Sequence, residues 1–132
     1  MTVLVGYVPS PEGEAALRAG VEEARRRGET LLVVNTSRGD APVDPTLAQK
    51  HDLELVERDL TELGVDFQLK QLIGGRDAAD EIVELAASEN VSLLVIGLRH
   101  RTPVGKLILG SSAQRILLDA PCPVLAVKAH RA

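Results

Sequence analysis

Leu93-Leu94-Val95-Ile96-Gly97 runs without a polar break into the basic segment Leu98-Arg99-His100-Arg101-Thr102-Pro103-Val104-Gly105-Lys106, and Leu107-Ile108-Leu109-Gly110-Ser111-Ser112 then opens an amphipathic stretch. A continuous rather than alternating apolar run is what a strand buried on both faces requires. Followed by a loop and a helix start, it is one βα unit of a parallel sheet. Working outward, Val3-Leu4-Val5-Gly6-Tyr7-Val8 and Leu31-Leu32-Val33-Val34 have the same character. Phe67-Gln68-Leu69-Lys70-Gln71-Leu72 alternates, and Val124-Leu125-Ala126-Val127 is brief and follows Pro123, so both read as edge strands. Between the strands, Leu17, Gly20, Val21 and Ala24 form one helical stripe, which Ser10 and Pro11 start and Gly28 closes. Leu53, Val56, Leu60 and Leu63 define a second helix ending at Gly64, and Ile82, Val83, Leu85 and Ala86 a third that Asp77 can cap. A fourth spans about Ser111 to Leu118. Strand and helix alternate throughout, which predicts an α/β fold, an open parallel five-stranded sheet with helices on both faces. The one long connection is Ser37 to Thr46.

With 132 residues the chain is read as one domain, 1–132. Aromatics are 2%, Tyr7 and Phe67 alone, so the core is aliphatic and no platform exists for stacking single-stranded bases. A net charge of −4 has the wrong sign for gripping phosphate backbones, and no nucleic-acid partner is expected. Cys122 is the single cysteine, nothing at the N-terminus resembles a signal peptide, and no apolar run reaches the roughly 20 residues a bilayer needs. These features predict a cytoplasmic protein with no membrane partner.

In open α/β sheets ligands gather beyond the carboxyl ends of the strands, at the switch in strand order, so the loops after the first and fourth strands are where chemistry is expected. After the fourth, Arg99, Arg101 and Lys106 bring positive charge beside a helix opening with Gly110, Ser111 and Ser112. Backbone N–H groups and the helix dipole there favour an anion. The plainer reading makes Gly110 a turn residue, Ser111 an N-cap and the basic residues solvated. No Walker A motif occurs, since His100 stands where its first glycine belongs and Leu107 follows Lys106, and no G-x-G-x-x-G follows the first strand. Gly6 is expected to serve close packing. His51, His100 and His130 lack metal-ligand spacing, Cys122 has no flanking positive group, and G-x-S-x-G is absent, so no metal and no catalytic residue is predicted. Asp77, Asp80, Glu81 and Glu84 read as a solvated helix start and face.

The stretch Val95-Ile96-Gly97, the basic loop, Leu107 to Leu117 and the ending Ala120-Pro121-Cys122-Pro123-Val124-Leu125-Ala126-Val127 together resemble the C-terminal signature of the universal stress protein family. The resemblance implies a sheet ordered 3-2-1-4-5, as in the adenine nucleotide alpha hydrolase-like folds. The family's nucleotide-binding branch carries Gly-x-x-Gly, nine residues, then Gly-Ser/Thr around the phosphates, and an aspartate at the end of strand one. This sequence keeps Gly97, Gly110 and Ser111, but His100 falls on the second glycine, Pro103 on another position that is often glycine, and Val8 with Pro9 on the Asp-Gly pair. Thr36 falls where a backbone group commonly reads adenine. The resemblance therefore implies a stress-response binding or signalling module with an altered pocket, binding ATP weakly or not at all and requiring no cofactor, with ATP, AMP or a small anion as the ligand class. Its candidate binding residues are Val8, Thr36, Gly97, Arg99, His100, Arg101, Gly110, Ser111 and Ser112. A homodimer is expected through Val124, Leu125 and Ala126 of the last strand, besides an unidentified protein partner. Two other readings are a working ATP or AMP sensor using residues 97–112, and an enzyme of the wider adenine-nucleotide hydrolase group. The enzyme would need a glycine-rich loop where Pro9-Ser10-Pro11 stands.

Overall fold

The computed structural model describes residues 1–37, 48–73, 77–98 and 110–129. Arg99, His100, Arg101, Pro103, Lys106 and His130, and most of the expected 37–46 connection, lie outside them. The described order is β1 (Thr2–Gly6), α1 (Pro11–Arg27), β2 (Thr30–Ser37), α2 (Lys50–Leu63), β3 (Phe67–Ile73), α3 (Ala78–Ser88), β4 (Val91–Leu98), α4 (Ser111–Asp119) and β5 (Val124–Lys128). All pairings are parallel and the sheet is ordered β3-β2-β1-β4-β5. The alternating and proline-led segments, β3 and β5, are indeed the edges.

Side-chain parity divides the core into two layers. Val3, Val5, Leu31, Val33, Leu93 and Val95 pack with Leu17, Val21, Ala24, Val56 and Leu60 of α1 and α2. Leu4, Leu32, Val34, Leu94 and Ile96 pack with Ala79, Ile82, Ala86 and Ile116 of α3 and α4. The central strands are thus covered on both sides, as their unbroken apolar runs require.

The helix ends are written locally. Ser10 accepts a hydrogen bond from the Gly13 N–H at 3.1 Å, and Pro11 follows at the first helical position. Gly28 and Gly64 end α1 and α2 at φ 67° and 71°, a left-handed conformation that glycine adopts without a Cβ penalty. The C-terminal ends of these helices are tied by Arg25, whose guanidinium donates to the Leu63 carbonyl at 2.5 Å.

Candidate functional site

A parallel sheet places every carboxyl end on one rim. At β1 the chain leaves toward α1 on one face, and at β4 it leaves toward α4 on the other, so the switch in strand order lies between β1 and β4. The β1 exit is held tightly. A Cβ on Gly13 would stand 1.7 Å from the Val8 carbonyl oxygen, and one on Gly97, near the end of β4, 2.4 Å from the Glu12 carbonyl oxygen. Gly97 therefore lets the first turn of α1 rest on β4, a structural reason for this glycine that needs no ligand. Gly6 behaves otherwise. A Cβ there meets Ile96 at 3.7 Å and Ile82 at 3.8 Å, ordinary contacts, so the expectation that Gly6 serves close packing is corrected.

At the β4 side of the rim, Gly110 is the N-cap of α4 and no side chain caps the helix. Ser111 is the first helical residue instead of the cap, and Ser111 and Ser112 are both exposed. Among the described residues no side chain claims the opening N–H groups, and the positive end of the dipole stands behind them. Arg115, one turn further on, reaches to α3: it pairs with Asp80 and lies 3.6 Å from Asp77. Asp77 also caps α3, accepting from the Ala79 N–H at 2.9 Å. The acidic start of α3 is therefore no merely solvated face, since part of it docks α4.

The β2 side holds residues that pattern reading passed over. Leu31 N–H donates to Asp66 at the head of β3, whereas the Val34 carbonyl accepts from Tyr7. Backbone groups of successive strand residues point alternately to opposite neighbours, so Thr36, like Val34, faces the β1 line. The β1–β2 register ends at Gly6 opposite Val34, and no ladder bond joins Thr36 to β1. The Tyr7 carbonyl, which the next rung would offer to the Thr36 N–H, accepts instead from Asn35 Nδ2 at 2.9 Å. Asn35 is fully buried. Its Oδ1 accepts from the Ala48 N–H at 2.9 Å and from Gln71 Nε2 at 3.0 Å, and Gln71 Nε2 also donates to the Ala48 carbonyl at 2.8 Å. Beside this cluster the buried Tyr7 hydroxyl donates to Glu14 at 2.9 Å. Burial first, and then the Glu14 carboxylate, push that hydroxyl well above its usual range, so it remains a donor.

A model of the Universal stress protein family matches residues 1–128. The chain belongs to that family. A universal stress protein of Mycolicibacterium smegmatis is 50% identical over 128 residues, covering 97% of this chain and 98% of the relative. A universal stress protein structure from Archaeoglobus fulgidus has a TM-score of 0.71 at 30% identity, covering 96% of this chain and 97% of that one. Another universal stress protein structure from that organism, in complex with dAMP, has a TM-score of 0.70 at 25% identity and covers 96% of each chain.

Within this universal stress domain the candidate residues do not all stand together. Val8 and Thr36 lie where β1 and β2 end, and Gly110, Ser111 and Ser112 open α4 across the switch. Gly97 is committed to packing, and Arg99, His100 and Arg101 fall outside the described residues. Val8 and Pro9 are half-buried and bring no acidic group to the β1 exit. Among the described residues no group of His, Cys, Asp and Glu side chains could hold a metal ion, and no helix is long and apolar enough to cross a membrane. Cys122 packs beside the α3/α4 core layer, and burial pushes its thiol up, away from the thiolate a nucleophile needs. Of the proposed dimer residues, Val124 and Ala126 turn toward that same layer, while Leu125 stands exposed on the sheet edge.

Proposed function

We propose that this universal stress protein is a non-enzymatic cytoplasmic binding module, one domain over residues 1–132, whose pocket at the β1/β4 switch takes adenine nucleotides only weakly and needs no cofactor. The observation that carries this reading is the β1 exit, where Val8-Pro9 offers no carboxylate to a ribose or adenine and the backbone is wedged against Gly13. A charge-assisted hydrogen bond is thereby forgone, worth about 1.5–3 kcal/mol. The test is calorimetry or thermal shift with ATP and AMP, with and without magnesium, because a ligand that binds only the native state raises its stability. Weak or undetectable ATP binding is expected, and submicromolar affinity overturns the reading. A second reading, a working AMP or ATP sensor, draws support from the open Thr36 backbone and from the dAMP complex of the Archaeoglobus relative.

The uncapped start of α4 supports a more general ligand, a small anion held between Gly110, Ser111 and Ser112 and the loop bearing Arg99, His100 and Arg101. Crystals grown in high sulfate or phosphate should show density for the anion there, and water alone at that place would remove the idea.

As to partners, the proposal is a homodimer through β5. This strand pairs with β4 on one side, and Leu125, 36% exposed, lies on the edge with no flanking charge before Lys128. Two copies pairing antiparallel about a twofold axis would satisfy the open backbone groups and cover Leu125. Light scattering should give twice the chain mass at micromolar concentration, and Leu125→Lys should shift it to the monomer. A monomeric wild type, or a dimeric variant, refutes the assignment. Neither nucleic acid nor membrane is proposed as a partner, and the protein partner of the stress response is left unassigned.

A further inference from the structure

We propose that Asn35 is a positioning residue of the nucleotide pocket: by taking the Tyr7 carbonyl it keeps the Thr36 N–H out of the β1–β2 ladder, so that Thr36 presents a backbone donor and acceptor to the edge of a purine base. The inference rests on the nucleotide reading for its ligand, and on hydrogen bonding alone for the role of Asn35. A parallel ladder continued by one rung would pair the Tyr7 carbonyl with the Thr36 N–H. The side-chain amide of Asn35 donates to that carbonyl at 2.9 Å, the Thr36 N–H makes no bond to it, and β1 turns away immediately afterwards. Thr36 is still held in place from the opposite side by β3, where it stands in register with Leu72. A rigid strand residue whose N–H and C=O face an unpaired line is what recognition of an adenine edge needs, because one group donates and the other accepts at fixed spacing.

The amide is chemically required. Asn35 donates to a carbonyl with one end and accepts from the Ala48 N–H and from Gln71 with the other. Aspartate would keep the second set and lose the first. An apolar residue would lose both, leaving the Ala48 N–H buried without its acceptor. Gln71, the register partner of Asn35 on β3, steadies the amide but does not touch Tyr7. It is therefore the control position.

The test is amide hydrogen exchange by NMR, together with titration by AMP and, separately, by inorganic phosphate. In the ligand-free wild type the Thr36 N–H should exchange at least tenfold faster than that of Val34, and AMP should slow it. In Asn35→Asp the freed Tyr7 carbonyl should slow Thr36 exchange without ligand, and AMP affinity should fall about tenfold, the loss of one neutral hydrogen bond, with phosphate affinity unchanged. Gln71→Leu should leave Thr36 exchange as in the wild type. Should Asn35→Asp fail to fold, the wild-type comparison decides: a Thr36 N–H as protected as Val34 overturns the proposal. An equal loss of AMP and phosphate affinity in Asn35→Asp also overturns it, as general damage. If AMP does not bind the wild type at all, the nucleotide reading and the ligand half of this proposal fall together, while the exchange rates still decide what Asn35 does.

Discussion

Gly97→Ala is expected to destabilise the protein by roughly 3 kcal/mol, the upper end of the overpacking range, and Gly13→Ala by as much. In both cases the added methyl meets a carbonyl oxygen, at 2.4 Å for Gly97 and 1.7 Å for Gly13, and backbone cannot rotate aside as a side chain can. Alanine gains about 1 kcal/mol of helix propensity at position 13, which does not offset such a clash. Gly6→Ala is the contrast. Its methyl finds ordinary contact distances, so stability should stay level or rise by about 0.5 kcal/mol from the reduced freedom of the unfolded chain. Urea denaturation with unchanged slopes would read all three. A Gly97→Ala midpoint equal to the wild type would show that the α1 turn does not rest on β4 as described. The result bears on function as well, since a glycine kept for packing says nothing about phosphate binding.

The second large effect concerns the ligand. Val8→Asp combined with Pro9→Gly and His100→Gly should raise ATP affinity about ten- to a hundredfold, the range for gaining one charge-assisted hydrogen bond. The half-buried position of Val8 leaves the new carboxylate in contact with water, so its desolvation cost is modest. Val8→Asp alone should give only part of the gain, because Pro9 still fixes the loop dihedral that follows. Calorimetric titration of the wild type, the single and the combined variants measures this. A combined variant that folds and binds ATP no better than the wild type would mean that the β1 exit is not where the nucleotide is decided.

How far the sequence could be read depended on whether the determinant was local. The runs Val3–Val5, Leu31–Val34 and Leu93–Ile96 marked the central strands because burial on both faces demands apolar residues at every position. Ser10, Gly28 and Gly64 marked helix ends because caps act within one turn. Strand order was not written in periodicity, and it followed from the family resemblance. The glycines at 6, 13 and 97 look alike in sequence, and only the atoms opposite each one separate their roles. Asn35 and Gln71 left a signal that went unused. Leu31 and Val33, then Phe67 and Leu69, fix the parity of the α1/α2 face, and both amides stand where the next apolar residue belongs. Two such exceptions in register on neighbouring strands are the mark of a polar pair bonded across them, here buried at Asn35 and exposed at Gln71. The fourth helix starts at Ser111 as its pattern predicts, but the N-cap is Gly110 and not Ser111, because a glycine without a side chain leaves no capping signal in the sequence.

The placing of β1 between β2 and β4 has a consequence for synthesis on the ribosome. One edge of β1 can pair as soon as Thr30–Val34 emerges, but the other must wait for Val91–Val95. At translation rates of about 5–20 residues per second, this central strand, fully buried from Val3 to Val5, spends seconds with one row of backbone groups open. During that interval the nascent chain has a half-built sheet whose bare central edge resembles the open flank of an aggregation-prone intermediate. Slow translation ahead of β4 would lengthen the exposure, and a chaperone that holds nascent apolar strands would find its first substrate there.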